Sequence, residues 1–545
     1  MPSKAKRKGQ TSRTLADEGL LRGVKDPPAW FAEQRPLHQF GDAFRLYGLP
    51  SPRAAQVLGI LGANGCGKST VLSIFSGSLQ PNLGASAPPK DWVRAAPVRT
   101  GIRSLLASQP RVASKPQYVE EVAAKYAGRH VGSVLEQEDT RAAGAVVVEQ
   151  LELAHLWERT VDTLSGGELQ RFSIALVCVQ TADLYIVDEP SSFLDVRQRH
   201  KNIEWLYPGD RYVLVVEHDL AVLDYLADMV VLVVGAPNQY GMVSLPYRTG
   251  VGINMFLRGA VPRVTSAGEL PFRETVLDFG ARAPPQVGPC WHYPAAVITR
   301  PGAFRLQVAA GAFNAGEIVV LLGENGTGKT TFMKLLCGEV DPDGGKGVFE
   351  RRRVAYKAQD PADLRARHAG TVQEALASAA AGELPPAEEL ELVATMLERP
   401  VSSLSGGELQ RLAIVLALSV DAEVVLMDEP SAYLDAEQRI ATCQAIRRCI
   451  SRTGRMALVV EHDFMMANYL ADRVVVFSGE PGRSCALSAP LPVEEGMNSF
   501  LAHVGVTFRC DHDSGRPRVN KPQSAKDRAQ TRAGTYYVLN AVGED

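Results

Sequence analysis

Two apolar stretches far apart in the chain share one pattern of hydrophobic and polar positions. Val57–Leu61 and Ile318–Leu322 are short apolar runs, each followed by a glycine-rich segment and then by a stretch of helical character. Apolar runs of this length are typical of parallel strands that are buried on both faces. The pattern therefore predicts a strand–loop–helix unit in each half of the chain.

The similarity between the two halves extends through several further segments. GANGCGKST at 62–70 matches GENGTGKTT at 323–331, and LYIVDEPSSFLD at 184–195 matches VVLMDEPSAYLD at 424–435. LSGGELQR occurs at 164–171 and again at 404–411, and VVEHD occurs at 215–219 and at 459–463. An internal duplication of this kind indicates two homologous modules fused in tandem.

Composition and charge exclude several classes of protein. The 545 residues are 46% hydrophobic and 22% charged, which is an ordinary globular balance. The longest apolar run, near Leu412–Val420, is about half the ~20 residues that a membrane-crossing helix needs, and no apolar signal region precedes the first module. The eight cysteines form no CxxC pair, so neither a disulfide framework nor a cysteine metal site is indicated. We expect a soluble cytoplasmic protein.

The net charge of −3 conceals two basic segments. KAKRK stands at 4–8, and the stretch 509–532 carries seven basic residues against three acidic ones. Such segments either contact phosphate backbones or are simply solvated tails, and the sequence favours neither reading.

The glycine-rich segments match the phosphate-binding pattern GxxxxGK[ST]. Glycines let the backbone wrap around phosphate with its N–H groups inward, the lysine reaches the β- and γ-phosphates, and the hydroxyl ligates Mg²⁺. Two matches at corresponding positions argue against chance. The predicted nucleotide-binding residues are Gly62, Asn64, Gly65, Gly67, Lys68, Ser69 and Thr70 in the first module, and Gly323, Asn325, Gly326, Gly328, Lys329, Thr330 and Thr331 in the second.

Acidic pairs at the ends of two apolar strands suggest hydrolysis. Asp188 and Asp428 are placed to hold the Mg²⁺ shell, and Glu189 and Glu429 directly after them are placed to polarise an attacking water. Such a pair can also be a solvated turn, but its repetition in both modules favours catalysis.

Two weaker signals accompany these pairs. His218 and His462 follow a further apolar run and are candidates for a γ-phosphate contact, although a lone histidine is usually structural. Gln117 and Gln359, between the glycine loop and LSGGELQR, are candidates for sensing Mg²⁺ and the γ-phosphate. The predicted metal ligands are Ser69, Gln117 and Asp188 in the first module, and Thr330, Gln359 and Asp428 in the second.

LSGGELQR combines a serine, two glycines and the start of a helix. Its N–H groups and the helix dipole form a second anion-binding surface, which the glycine loop of the same module does not need. We infer that Ser165, Gly166 and Gly167, like Ser405, Gly406 and Gly407, serve the nucleotide of the other module.

These motifs in this order resemble the ATP-binding cassette family. The resemblance implies an α/β fold of two tandem P-loop cassettes, each with a parallel-sheet core and a helical subdomain that carries LSGGELQR. It also implies a head-to-tail pair that holds two ATP molecules with Mg²⁺. One site would join Lys68, Ser69, Gln117, Asp188, Glu189 and His218 to Ser405 and Gly407, and the other would join Lys329, Thr330, Gln359, Asp428, Glu429 and His462 to Ser165 and Gly167.

Further segments resemble the ABC-E subfamily, the ribosome-recycling factors also called RNase L inhibitors. They include FRLYGLPSPR, KPQYV, DEPSSFLDV, VVEHDLAVLDYLAD, GENGTGKTTF and the terminal TFRCD and GRPRVNKPQSAKD, so that the likeness runs from about Phe40 to the C-terminus. The resemblance implies an ATPase that closes on ATP to split ribosomes and remains on the small subunit. Release and initiation factors are the other partners that it implies. It also implies a monomer with paired cassettes, and basic hinge positions at Arg516, Arg518 and Lys521 that contact rRNA.

The chain departs from that family at its start. Members normally begin with a domain whose eight cysteines hold two [4Fe–4S] clusters, whereas no cysteine precedes Cys66 here. We therefore expect no iron–sulfur cluster and weak ribosome splitting. The expected domains are a disordered basic tail (1–36), the first cassette (37–260), a linker (261–295), the second cassette (296–505) and a basic hinge segment (506–545). Two alternatives stay open, namely the ATP-binding subunit of a membrane transporter and a regulatory paralogue that binds the small subunit without splitting ribosomes.

Overall fold

The structure of the protein is a computed structural model. It describes residues 35–192, 210–262, 269–272, 279, 290–300, 304–345, 352–379, 392–521 and 523–538. Nearly all of the expected N-terminal tail and most of the expected linker lie outside the described residues.

Strands recur along the whole described chain. In order they are β1 (His38–Phe40), β2 (Phe44–Tyr47), β3 (Gln56–Leu61), β4 (Val112–Lys115), β5 (Leu184–Asp188), β6 (Tyr212–Val216), β7 (Met229–Val234), β8 (Tyr240–Val243), β9 (Tyr247–Arg248), β10 (Ala260–Pro262), β11 (Glu269–Pro271), β12 (Cys290–Tyr293), β13 (Ala296–Arg300), β14 (Phe304–Val308), β15 (Gly311–Asn314), β16 (Ile318–Leu322), β17 (Val354–Lys357), β18 (Val424–Asp428), β19 (Met456–Val460), β20 (Arg473–Glu480), β21 (Ser484–Leu487), β22 (Leu491–Pro492), β23 (Phe508–Cys510) and β24 (Pro517–Val519).

Helices are interspersed among these strands. In order they are α1 (Lys68–Phe75), α2 (Trp92–Ala95), α3 (Thr100–Ala107), α4 (Glu120–Lys125), α5 (Val131–Glu138), α6 (Gly144–Gln150), α7 (Gly166–Cys178), α8 (Leu220–Leu226), α9 (Thr249–Arg258), α10 (Lys329–Leu336), α11 (Asp363–Arg367), α12 (Val372–Ala379), α13 (Gly406–Ser419), α14 (Ala436–Thr453), α15 (Phe464–Leu470), α16 (Val493–Val504) and α17 (Ala525–Ala533). Short 3₁₀ turns lie at Ala154–Leu156, Val161–Thr163, Ala394–Met396 and Val401–Ser403.

The described chain forms two compact units. One contains the described parts of 1–53, 60–112 and 229–277, and the other contains those of 54–59, 113–228 and 278–545. The glycine loop of the first module thus belongs to the first unit. The remaining first-module motifs and the whole second module belong to the second unit.

The first unit contains a small mixed arrangement of strands around the first glycine loop. Strand β2 pairs with β1 in antiparallel register and with β8 in parallel register, and β7 pairs with β8 and β9 in antiparallel register. The buried side chain of Phe44 on β2 lies against the loop, since a Cβ at Gly67 would stand 2.7 Å from its ring.

The second unit contains a nine-stranded sheet built by the second module. Its order is β13-β14-β21-β20-β16-β19-β18-β17, with β22 also paired to β20, and the run from β20 to β17 is parallel throughout. Leu321, Leu426 and Leu458 are fully buried in its core. In sheets of this type ligands bind beyond the carboxyl ends of the strands.

The first-module strands in the second unit repeat part of this register. Strand β5 pairs in parallel with β6, so that Asp188 lies opposite Val216, just as Asp428 on β18 lies opposite Val460 on β19. The two acidic pairs therefore stand at the same level relative to the VVEHD segments, whose valines end strands β6 and β19.

Candidate active site

The second glycine loop joins strand β16 to helix α10. Gly326 and Gly328 adopt left-handed backbone conformations, with φ of 77° and 99°. Only glycine fits the second position, because a Cβ there would lie 2.9 Å from the ring of Phe304. The Nζ atom of Lys329 donates hydrogen bonds to the carbonyl oxygens of Gly323 at 2.9 Å and of Glu324 at 2.8 Å. Its ammonium group therefore lies inside the curve of the loop.

The first glycine loop, in the first unit, has the same form. Gly65 and Gly67 are left-handed, with φ of 79° and 97°. Lys68 donates to the carbonyl oxygens of Gly62 at 2.8 Å and of Ala63 at 3.0 Å, and to Oδ1 of Asn64 at 3.3 Å. The two loops thus share the same left-handed glycines and the same lysine contacts.

Oxygen donors suited to Mg²⁺ meet at the start of helix α10. The Oγ1 atom of Thr330 donates a hydrogen bond to Oδ2 of Asp428 at 3.0 Å. Asp428 is almost fully buried, and burial and the neighbouring Glu429 raise the pKa of its carboxyl. A hydroxyl and a carboxylate in contact at a phosphate-binding loop fit a magnesium ion that is also bound by nucleotide oxygens.

Glu429 lies among three predicted partners. Its Oε1 atom accepts a hydrogen bond from Nε2 of Gln359 at 2.9 Å, and Nε2 of His462 lies 3.4 Å from the same oxygen. Burial alone would raise its pKa, but His462, Lys329 and Gln359 outweigh that effect and lower the pKa to about 2. The carboxylate is therefore ionised at neutral pH, as a group that polarises water must be.

The first module repeats this arrangement within the second unit. Nε2 of Gln117 donates to Oε1 of Glu189 at 2.6 Å, and Nε2 of His218 lies 3.6 Å from that oxygen. Glu189 and Glu429 share an uncommon backbone conformation, with φ of 48° and 49°. A left-handed glutamate costs about 1–3 kcal/mol and persists only where its surroundings hold it.

The LSGGELQR stretches begin the buried helices α7 and α13 with capping boxes. The backbone N–H of Ser165 donates to Glu168 at 2.8 Å, and that of Ser405 donates to Glu408 at 2.8 Å. Each serine hydroxyl in turn accepts from the backbone N–H of its glutamate. Burial would raise the pKa of Glu168 and Glu408, but the serine N–H groups and arginine neighbours lower it. Gly166, Gly167, Gly406 and Gly407 form the first helical turns, where a Cβ at Gly407 would stand 2.8 Å from the carbonyl oxygen of Tyr433.

The structure also links the first-module histidine to the second module. The backbone N–H of Ala436, the first residue of helix α14, donates to Nδ1 of His218 at 3.4 Å. The two nitrogens of His218 thus face Glu189 on one side and the second module on the other.

Buried polar residues next to the predicted ones escaped the sequence analysis. Glu217 accepts the N–H groups of His218 at 2.7 Å and of Ser191 at 3.1 Å, and Glu461 accepts that of His462 at 2.8 Å. Burial raises the pKa of Glu217. Lys115, Lys357, Gln170 and Gln410 are equally buried. These residues could have been found because each stands at the same distance from the neighbouring motif in both modules. A search for motifs of known chemistry does not select them.

One expectation about the basic hinge positions is wrong. Arg516 is 0% exposed and donates to Asp224 at 2.9 Å, so its guanidinium does not face solvent and cannot contact rRNA. Arg518 is mostly buried and also donates to Asp224, at 2.8 Å and 2.9 Å. Lys521 is half exposed, and its Nζ lies 3.2 Å from Oδ1 of Asp228. The sequence did not predict this burial, because the carboxylates of Asp224 and Asp228 lie far away along the chain.

Comparisons with known proteins identify the family of this chain. The family model described as "ABC transporter" matches residues 51–192 and 306–432. The chain is 43% identical to translation initiation factor RLI1 of Chaetomium thermophilum, over 91% of this chain and 84% of that protein. It is 41% identical to ABC transporter E family member 1 of Arabidopsis thaliana, over 92% and 86% respectively.

A solved structure shows the same fold. The archaeal ribosome recycling factor aABCE1, in complex with the ribosomal stalk protein aP1, superposes with a TM-score of 0.86 at 42% identity, covering 92% of this chain and 99% of that one. The fold and the duplicated site define an ABC-type ATPase with two cassettes, as predicted. Its sequence and structure place it more narrowly: the chain belongs to the ABC-E family. Across the described residues, no helix is both long and apolar enough to traverse a bilayer.

Proposed function

We propose that this protein is a translation factor that uses ATP-driven closure of its cassettes to act on ribosomes, binding the small subunit and promoting recycling. The observation that carries the proposal is the 42% identity to a ribosome recycling factor over 92% of this chain, together with the same Gln–Glu–His arrangement in both modules. A module that no longer hydrolysed ATP would not need to keep these three side chains in contact.

The residue roles in this proposal follow the duplicated geometry. Lys329, Thr330 and Asp428 hold the phosphates and Mg²⁺, with Gln359 as a further ligand, while Glu429 positions water and His462 contacts the γ-phosphate. Asn325, Gly326 and Thr331 line the same loop. The corresponding first-module residues have the same roles, and Ser165 with Gly167 completes the nucleotide site built on Lys329. The division into cassettes at 37–260 and 296–505 belongs to the same proposal.

Co-sedimentation tests the proposed partner. The protein should travel with purified small ribosomal subunits when a non-hydrolysable ATP analogue is present, and much less with ADP. Exposed cations near the C-terminus such as Lys521, rather than Arg516, would contribute salt sensitivity to that binding. Recovery with membrane vesicles instead of ribosomal subunits would favour the ATP-binding subunit of a transporter and contradict the proposal.

A gradient assay separates recycling from small-subunit binding alone. Intact ribosomes are incubated with release factor, ATP and the protein, and the free subunits are measured. ATP-dependent conversion to subunits supports recycling, whereas binding without conversion identifies the regulatory paralogue.

Two finer points complete the proposal. We infer a cytoplasmic location from the ribosomal partner. We also infer that these 545 residues hold no iron–sulfur cluster, because their cysteines are scattered singly along the sequence. Elemental analysis checks the second point, and iron equivalent to two clusters per chain would contradict it.

A further inference from the structure

Each module buries a lysine directly behind its catalytic acidic pair. Lys357, the last residue of β17, is 2% exposed, and its Nζ donates to the carbonyl oxygens of Asp428 at 2.7 Å and Glu429 at 3.2 Å. Lys115, the last residue of β4, is 1% exposed and donates to the carbonyl oxygen of Asp188 at 2.7 Å. The same contact therefore occurs twice in one chain.

The position of the lysine relative to the sheet explains what it adds. The parallel pairing of β17 with β18 ends where Lys357 lies opposite Met427. The ammonium group of Lys357 reaches the carbonyls of Asp428 and Glu429, the next two residues after Met427. The pairing between β17 and β18 has already ended there. The ammonium group also lies 3.4 Å from the carbonyl oxygen of Gln359, so one cation contacts both the acidic pair and the glutamine segment.

A second buried donor reaches the glutamate from the LSGGELQR helix. Nε2 of Gln410 on α13 donates to the carbonyl oxygen of Glu429 at 2.8 Å, and Nε2 of Gln170 on α7 donates to that of Glu189 at 2.7 Å. The carbonyl of Glu429 is thus held from two directions. These contacts over-determine a backbone conformation that a glutamate would otherwise rarely adopt.

Packing alone does not explain a lysine at this position. Burying an ammonium group costs free energy, and an unbranched apolar side chain of similar length would fill the same space at lower cost. A cation that satisfies two or three carbonyl oxygens has a reason to be retained if the direction of those carbonyls matters for the adjoining side chain.

We propose that Lys115 and Lys357 are positioning residues for ATP hydrolysis, each holding the carbonyl of the aspartate that directly precedes the catalytic glutamate. Lys357 also holds the carbonyls of Glu429 and Gln359. The inference rests on the proposed role of Glu189 and Glu429 as the residues that position water. It assigns the lysines no contact with the nucleotide.

The test replaces both lysines together, so that it needs no assumption about which site turns over faster. The paired change Lys115→Met and Lys357→Met should lower kcat about 10- to 100-fold, because a displaced catalytic group costs factors of this size. The KM for ATP and the affinity for a fluorescent ATP analogue should change less than about two-fold, because the glycine loops are untouched. Lys526→Met, the same chemical change on the exposed face of helix α17, is the matched control and should leave both constants unchanged.

Two further variants make the result decisive. The pair Lys115→Gln and Lys357→Gln keeps a hydrogen-bond donor without the charge, and should retain its fold and an intermediate kcat; it decides the question if the methionine pair unfolds. The quadruple variant that combines Lys115→Met and Lys357→Met with Glu189→Gln and Glu429→Gln should have a kcat close to that of the Glu189→Gln and Glu429→Gln pair alone. The two sets of changes should not add, because both act on one step.

Contrary outcomes are distinguishable. If the glutamate variants hydrolyse ATP at the parental rate, the proposed role of the glutamates fails. If they are impaired while the folded lysine variants keep the parental kcat, only the lysine inference fails. A rise in KM that matches a loss of nucleotide affinity would also overturn it, because the lysines would then act in binding.

Discussion

Asp224 Oδ2 accepts a hydrogen bond from Nη1 of Arg516 at 2.9 Å, although 292 positions separate the two residues in the chain. Arg518 adds two hydrogen bonds to the same carboxylate, and neither Asp224 nor Arg516 has an appreciably exposed side chain. Asp224 lies on helix α8, which begins two residues after His218. The C-terminal segment is therefore anchored to the helix that follows the first-module histidine.

Removing the acid from this cluster should be costly. Asp224→Asn leaves two arginines without their shared charge partner, and breaking a buried ion pair in this way costs about 3–5 kcal/mol. Urea unfolding of the variant should show that loss in the free energy of unfolding. Glu480→Gln is the control, since Glu480 and Arg483 form an exposed pair worth at most about 1 kcal/mol. Equal effects of the two changes would show that burial of Asp224 adds nothing.

Glu189→Gln combined with Glu429→Gln should abolish most hydrolysis. We expect kcat to fall about 100-fold or more, because general-base assistance is worth that much or more, while nucleotide affinity is kept. The protein should then be trapped with ATP bound at both sites. Phosphate release under saturating ATP measures the loss, with the exposed Glu495→Gln as control. Turnover at the parental rate would refute the assignment.

Ser165→Arg should damage the nucleotide site built on Lys329 more than the one built on Lys68. The segment at the start of helix α7 is proposed to complete this nucleotide site, and a bulky arginine side chain there would collide with the bound phosphates. Ser165→Ala, which removes the side-chain cap at a cost of about 1 kcal/mol, controls for helix stability. Site-resolved trapping of a photoreactive ATP analogue provides the readout. Selective damage at the Lys68 site would contradict the head-to-tail pairing.

Stability should respond to the lysines in alkaline solution. Burial lowers the pKa of Lys357 to about 8, although Asp428 and Glu429 oppose the shift. Between pH 8 and about 10.5 the unfolded chain therefore binds the proton that the folded chain has released, and stability from this group rises with pH. The free energy of unfolding of the parent, minus that of Lys357→Met, should increase across this interval in urea titrations. A difference that stays constant with pH would show that the lysine keeps an ordinary pKa.

Local motifs were enough to predict much of the fold and to select the candidate site residues. The glycine loops, the acidic pairs and the LSGGELQR stretches are contiguous segments whose chemistry depends on residues one to seven positions apart. Their repetition in both halves predicted two α/β cassettes, and the family comparisons confirm that fold. The structure places left-handed glycines and capping boxes within these same segments.

Contacts between distant segments were decided by the tertiary structure. The sequence named Gln359 and Glu429, which lie 70 positions apart, but the parallel pairing of β17 and β18 is what brings them together. Arg516 appeared as a free cation because a basic segment carries no sign of its remote acid. The sequence did not predict the burial of Lys357, because a lysine is ordinarily exposed. A side chain's burial and partners depend on which segments pack beside it, and that information is distributed over the whole chain rather than written in any one stretch.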